Sequence, residues 1–406
     1  MFEILLQQSI QDIDAPYRRY RLLRENSPVL KIASKRERDT YLITRHEDVA
    51  KALRDPRLSK IDASDGILKG ASPTTHKLGA IIRNRKSMFR SDPPDHTRLR
   101  KIVGQGMIQR GVLELEPLIR SHTRQLLLAV DIGRPFDAVD KLTRPLPIFV
   151  IGKLLGIPKK DHSQLQIWAK NLLPFFEGLE FIEKPESVLK AVLELDDYLE
   201  GKIAILRSKP DSSLVSKLVY AGEEKKRLTD AEIKATVQLL ILAGNATTSD
   251  FLSNGLYRLS KNTNVLQAVY SDPTLLPNAL EEILRLDSPI QITGYITKEL
   301  IEFQKISIPP NTYLALNIGS ANRDPRVFAN PNELDIHRKN TRNLCFGGGI
   351  HMCVGAGLAR MIGKVFFEEF FSLANDKLWR VVDTALRQSF TLRGFEHLKI
   401  DFVRKF

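Results

Sequence analysis

A helix about thirty residues long constrains this chain more than any other feature. Thr229-Asp230-Ala231-Glu232 puts a hydroxyl at a helix cap and a carboxylate three positions on, the spacing at which each satisfies the other's backbone amide. Ile233, Val237, Leu240, Ile241 and Gly244 follow at helical intervals, so one face is buried. The pattern predicts a helix continuing to about Ser260, roughly 45 Å, which would run through the whole protein.

The rest of the chain reads as helix with little sheet. Val29–Ile32 and Thr40–Ile43 are strand-like and 47–53 helical. Residues 59–91 have poor periodicity and read as a long loop with one short helix. From 97 to about 284 the pattern is mainly helical, punctuated by prolines. Beyond Pro289, 290–297 and Tyr313–Asn317 are strand-like, with a turn at Pro309-Pro310-Asn311. The irregular stretch 324–343 leads into a glycine-rich loop, and a helix starts near Val354. Although 406 residues would allow more than one domain, we expect a mainly α fold with minor β-sheets and a single domain over 1–406.

Composition excludes several classes. The longest apolar run, 239–243, is far too short to span a bilayer. Met1-Phe2-Glu3-Ile4-Leu5-Leu6 carries an acid early and lacks a basic leader, so no signal peptide is expected and the location expected is cytoplasmic. The net charge is +13, yet the basic residues are scattered and form no nucleic-acid patch. A basic face for an acidic protein partner and a plain solvated surface both fit. Two cysteines, Cys345 and Cys353, rule out a disulfide framework and any four-cysteine metal site. Cys345 reads as a small buried apolar residue.

Cys353 has a different setting, Phe346-Gly347-Gly348-Gly349-Ile350-His351-Met352-Cys353-Val354-Gly355-Ala356-Gly357-Leu358-Ala359-Arg360. The glycines before the cysteine let the backbone turn tightly and approach a flat ligand. The start of a helix favours a thiolate, Gly355 and Gly357 keep that turn thin, and Phe346 can shield the sulfur. Such a sulfur is a soft anionic ligand suited to iron. A phosphate cradle is the competing reading, but there is no Gly-Lys-Ser/Thr ending and no strand-helix-strand unit.

This stretch resembles the haem-binding signature of the cytochromes P450, in Phe346, Gly349, His351, Cys353, Gly355, Ala359 and Arg360. Other segments fit in the right order. Glu282-Ile283-Leu284-Arg285 resembles the family's Glu-x-x-Arg pair, and Arg338 the arginine it locks onto. Asn322-Arg323-Asp324-Pro325 and Asp92-Pro93-Pro94-Asp95-His96-Thr97-Arg98-Leu99-Arg100 also follow the pattern. The resemblance implies a P450 fold with the long helix over haem, heme b (iron protoporphyrin IX) as cofactor and Cys353 as the iron ligand. It also implies that His96 and Arg100, one helical turn apart, bind one propionate and His351 the other.

Ala243-Gly244-Asn245-Ala246-Thr247-Thr248 resembles the family's oxygen-side segment. Gly244 would let a ligand approach and the helix open locally. Thr247 matches the threonine that holds water or peroxide near iron, although a helical threonine can equally bond its own backbone. The family's acid is missing, with Ala246 in its place. Asp250, four residues on and on the same face, could substitute through water, and Asn245 and the substrate itself are the other candidates. Tyr295 stands where the family usually has an arginine for a propionate.

The activity implied is oxidation of a small or medium apolar organic substrate by dioxygen and two electrons. The donor would be an external ferredoxin with its reductase, since the chain has no flavin motif. The loop around Ile67 to Met88 and Phe175, Phe176 and Phe181 would contact substrate, or be plain core. A peroxide-using or oxidative-coupling enzyme would account for the lost acid, although that subgroup's usual substitutions near the threonine are absent. A non-catalytic haem-binding sensor is the third reading. No nucleic-acid or membrane partner is expected.

Overall fold

A computed structural model describes residues 13–33, 38–61, 71–108, 113–178, 182–221, 227–339, 342–374 and 377–403. Its α-helices are α1 (Ala15–Asn26), α2 (His46–Ala52), α3 (Pro73–Arg83), α4 (Asp95–Ile108), α5 (Glu116–Leu128), α6 (Pro145–Leu155) and α7 (His162–Leu172). There follow α8 (Pro185–Ser208), α9 (Leu214–Tyr220), α10 (Asp230–Lys261), α11 (Thr263–Ser271), α12 (Leu276–Leu286), α13 (Ile318–Ala321) and α14 (Ala356–Ala374). The strands are β1 (Val29–Ile32), β2 (Thr40–Ile43), β3 (Leu58–Ser59), β4 (Phe136–Asp137), β5 (Ile292–Thr297), β6 (Ile301–Phe303), β7 (Ile306–Ile308), β8 (Tyr313–Asn317), β9 (Leu378–Leu386) and β10 (Phe395–Val403). None of these helices is long and apolar enough to cross a membrane.

Helix α10 begins at the cap read from sequence. Thr229 Oγ1 accepts from the Glu232 amide at 3.2 Å, and Glu232 accepts from the Thr229 amide at 2.9 Å. Its 32 residues span about 48 Å. Ser249 to Leu256 are buried on every side, which places this half of the helix inside the protein rather than on its surface. It contacts α6, α8, α12 and α14, and the largest apolar core forms around it.

One sheet runs in the order β1-β2-β8-β5-β3, with β2 and β8 parallel and the other pairs antiparallel. Another joins β4, β10 and β9, and β6 pairs with β7. Residues 59–91, read as mostly loop, contain the eleven-residue helix α3. Its Ser72 cap accepts from the Thr75 amide, and Pro73 supplies the fixed φ of a first turn.

Two arginines and a tyrosine hold the ends of these layers together on one carboxylate. Asp287, just past α12, accepts from Arg393 Nε and from Tyr17 Oη, each at 2.8 Å, and also pairs with Arg258 of α10. Burial opposes ionisation of Asp287, but Arg258 and Arg393 overcome it and hold the carboxyl far below its usual range. The first helix, α10, α12 and the carboxy-terminal sheet thus meet at one fully paired buried charge.

The Glu-x-x-Arg pair is structural. Arg285 donates to both oxygens of Glu282, at 2.7 and 2.8 Å, and Arg338 Nε reaches Glu282 at 3.0 Å. Arg285 also donates to the carbonyls of Asn322, Pro331 and Glu333, so α12 fixes the irregular stretch that leads to the cysteine loop.

Candidate active site

The cysteine loop is a sequence of tight turns. The Gly347 amide donates to the Leu344 carbonyl at 2.8 Å, and a short 3₁₀ turn covers Gly349–His351. The Cys353 amide then returns to the Phe346 carbonyl at 2.9 Å. Gly347 and Gly349 have φ of +73° and +62°, the left-handed region that other residues enter at a cost. A side chain at Gly349 would strike the Leu53 carbonyl oxygen, so this glycine lets the loop press against the end of α2. Gly349 itself is not among the residues that border the cavity. The Arg360 guanidinium lies 4.4 Å from the Phe346 ring centroid.

Helix α14 starts at Ala356, two residues later than expected, and Cys353 precedes it. Burial pushes the Cys353 thiol up. The amides of Gly355 and Ala356 and the charges of Arg100 and Arg360 pull the other way without overcoming burial. Coordination to a metal cation would favour the thiolate further.

Cys353 faces a cavity whose walls include Phe346, Gly347 and Gly355 on its side and Ala243, Gly244, Thr247 and Thr248 of α10. The α10 ladder is unbroken at Gly244, so no local opening occurs. The smallness of Gly244 also serves packing, because a Cβ there would lie 2.6 Å from Ile151 Cδ1 of α6. The Thr247 hydroxyl donates to the Ala243 carbonyl, the local bond that competes with an outward role.

Asn245 and Asp250 do not line this cavity. Asn245 is buried and points away, since it is about 160° round the helix from Thr247. Asp250 shares the face of Thr247 but lies a turn further along, where its carboxylate meets Gly394 and accepts from Arg387 at 2.8 Å. Burial raises it to about 6, against the pull of Arg387. Neither residue reaches the cavity directly, and a route from Asp250 would pass through water.

The polar edge of the cavity holds Arg100, His351, Lys60 and Tyr295. His96 stands outside the lining but meets His351 edge to face, with ring centroids 4.6 Å apart. Among the described residues, Nε2 of His351 and the ring nitrogens of His96 are buried with no partner at full hydrogen-bond geometry, and His96 has only a weaker approach to the Ile350 backbone. Burial, then Lys60, His96 and Arg100, push His351 down to about 3. Burial and Arg100 likewise lower His96. Buried nitrogens left unpaired are costly unless something else completes them. A sulfur under apolar walls, with orphaned donors at one edge, fits a flat macrocycle that carries iron at its centre and carboxylates on its rim.

A second cavity adjoins the first, and Lys60, Phe89, Leu239, Ala243, Ile290 and Thr293 border both. It is lined further out by Phe175, Phe176, Val192, Leu242 and Phe390. Phe175 and Phe176 are thus cavity walls, whereas Phe181 and Ile67 lie outside the described residues. Its polar groups are Arg85, which pairs with Asp196 and with Gln238 at 2.9 Å, and Glu177, which accepts from Ser389 and Thr391. Burial raises Glu177 despite these hydroxyls. Sequence reasoning missed Lys60 and Glu177, and it reached Arg85 only as part of the loop expected to contact substrate. A lone charge in a stretch without periodicity carries no signal of which way it points.

A mainly helical fold, a cysteine ahead of a helix and a facing helix across a cavity define a haem-thiolate oxygenase. The cytochrome P450 family model matches residues 35–373, and the chain belongs to that family. It is 35% identical over 389 residues to cytochrome P450 107B1 of Saccharopolyspora erythraea, covering 95% of this chain and 94% of that one. It is 32% identical over 390 residues to the vitamin D(3) 25-hydroxylase of Pseudonocardia autotrophica, covering 95% and 93%. A solved structure of P450BioI in complex with hexadec-9Z-enoic acid ligated acyl carrier protein superposes with a TM-score of 0.87 at 28% identity, covering 96% and 98%. The protein is a P450 monooxygenase of the bacterial kind, a haem-thiolate enzyme that oxidises an apolar organic substrate with dioxygen.

Proposed function

We propose that Cys353 is the axial iron ligand of heme b, with Thr247 facing the oxygen side and the adjoining apolar cavity holding the substrate. The observation that carries this reading is the shared cavity of Cys353 and Thr247, with the orphaned histidine nitrogens at its edge. Bound haem supplies the oxidising chemistry at iron, and a thiolate ligand favours O–O cleavage. The chain's own residues do the rest. Phe346 covers the sulfur, Gly355 leaves it open toward the cofactor, and Arg100, His96 and His351 take carboxylates on the rim. The Thr247 hydroxyl keeps acceptor lone pairs while bonded to Ala243, so it can hold a proton-bearing water on the oxygen side.

Leu239, Ala243 and Thr293 border both cavities and would set how close a substrate carbon approaches. The apolar walls support a small to medium apolar molecule, oriented by Arg85, Gln238 or Glu177 at the far end. With Asp250 held by Arg387 and Ala246 unable to carry a proton, water ordered by Thr247 is the route for protons. The net charge of +13 supports an acidic ferredoxin with its reductase as electron donor. One family model over residues 35–373 supports a single domain.

The test is the reduced carbon monoxide complex. Wild type gives a Soret band near 450 nm and Cys353→Ser loses it. A band retained by the variant removes the proposed ligand. Turnover with ferredoxin, reductase and dioxygen exceeds turnover with hydrogen peroxide, and the opposite ranking overturns the electron-donor assignment.

A further inference from the structure

Lys60 follows strand β3 and is only 3% exposed, so its charge has been taken almost wholly out of water. Its ammonium donates to Thr293 Oγ1 at 2.7 Å. It also lies 3.9 Å from the Tyr295 ring centroid and 4.7 Å from that of Phe89. An ammonium has three N–H donors, and one hydroxyl with two ring faces does not neutralise it. A buried charge is ordinarily paired. Among the described residues no carboxylate pairs with this one. Asp92 accepts the Lys60 main-chain amide at 3.4 Å and lies 3.9 Å from Lys298, so it serves the backbone and another lysine. Burial alone pushes Lys60 down to about 7.

The neighbours argue the same way. Lys60 borders the cavity that Cys353 faces, and its charge reaches His351, whose Nε2 has no partner. Arg100 and His96 stand at the same edge, and neither forms an ion pair among the described residues. Basic groups therefore converge on one rim whose acid, Asp92, acts on His96 and Tyr295 but, among the described residues, forms no ion pair with Lys60 or Arg100. Such an edge is built for an anion from outside the chain. Tyr295, which replaces the family's rim arginine, offers its ring as the platform beneath the ammonium.

We propose that Lys60 is a carboxylate anchor, its ammonium taking the haem propionate on the Tyr295 side in place of the missing guanidinium. This rests on the haem reading above. A carboxylate could also come from an acidic substrate, because Lys60 borders the second cavity too.

The experiment uses purified holoenzyme as wild type, Lys60→Met and Lys60→Arg, each loaded with haem or with haem dimethyl ester. Transfer of haem to excess apomyoglobin measures retention. Lys60→Met releases haem about ten- to a hundredfold faster than wild type, and Lys60→Arg returns most of the loss. With the dimethyl ester, which carries no rim charge, wild type and Lys60→Met release at the same rate. Equal release of ordinary haem, or a difference that survives esterification, overturns the proposal. Titration with hexadecanoic acid and its methyl ester, read by the spin-state change, separates the two carboxylate sources. The acid-to-ester preference is unchanged in Lys60→Met. Loss of the acid's response alone, with haem held as in wild type, transfers the anchor to substrate and overturns the propionate assignment. Absence of a 450 nm band in wild type would be a failure of the haem reading itself, seen before any variant is made.

Discussion

The Thr247 hydroxyl donates to the Ala243 carbonyl one turn back, and both residues line the cavity that Cys353 faces. The bond fixes the side-chain rotamer and leaves the oxygen's lone pairs free for a water. Thr247→Ala removes that acceptor but keeps the helix. Product formed per NADPH falls by about tenfold or more and hydrogen peroxide rises to match, while Thr247→Ser stays near wild type. An alanine variant that remains coupled would mean the hydroxyl serves only its own helix.

Asp250 is predicted to act on stability rather than on coupling. Its folded value of about 6 lies above the ordinary carboxylate value of about 3.9, so the native state binds this proton more readily than the unfolded chain. The stability it contributes is complete below about pH 3.9 and is lost as pH rises through 6. Unfolding free energy compared between wild type and Asp250→Asn therefore shows wild type losing on the order of 2 kcal/mol more from pH 4 to pH 6. The product-to-NADPH ratio of the variant matches wild type. A collapse of that ratio would return Asp250 to the proton path.

Gly349 and Gly347 both have positive φ, but only Gly349 abuts another backbone. At Gly347 the nearest atom to an added Cβ is the His351 carbonyl oxygen at 4.0 Å. Gly347→Ala should cost about 1–2 kcal/mol, the penalty of the left-handed conformation alone. Gly349→Ala costs clearly more and moves the loop off Leu53, seen as a lower melting temperature and a larger 420 nm fraction in the carbon monoxide spectrum.

Glu282 is shared by two guanidinium groups, those of Arg285 and Arg338. Glu282→Ala leaves both buried without their acid, a loss of about 3–5 kcal/mol. Denaturant unfolding of holoenzyme reads the loss directly. A variant of near wild-type stability would show that the carbonyls around Arg285 suffice.

Much of the site was legible because it is local. The Thr229–Glu232 box fixes where α10 begins, and glycine spacing around Cys353 dictates a tight loop ahead of a helix. The pairing of Glu282 with Arg285 follows from a separation of three on one helix. The setting of Asp250 was not legible because face and depth differ. Helical periodicity gave its side correctly, yet where along a helix of about 48 Å the cavity ends depends on the distant Arg387 and Gly394. The packing of Gly349 was not legible for the same cause, since its neighbour Leu53 is remote in sequence.

The chain's own order of residues determined the long capped helix, the cysteine at a helix start and the positions of the basic residues around it, all set by contacts within a few residues. Only tertiary structure decided which of these share a cavity and that Lys60 turns inward over Tyr295. The physical reason is that desolvation and charge pairing depend on what surrounds a group in space, and those surroundings come from segments hundreds of residues apart.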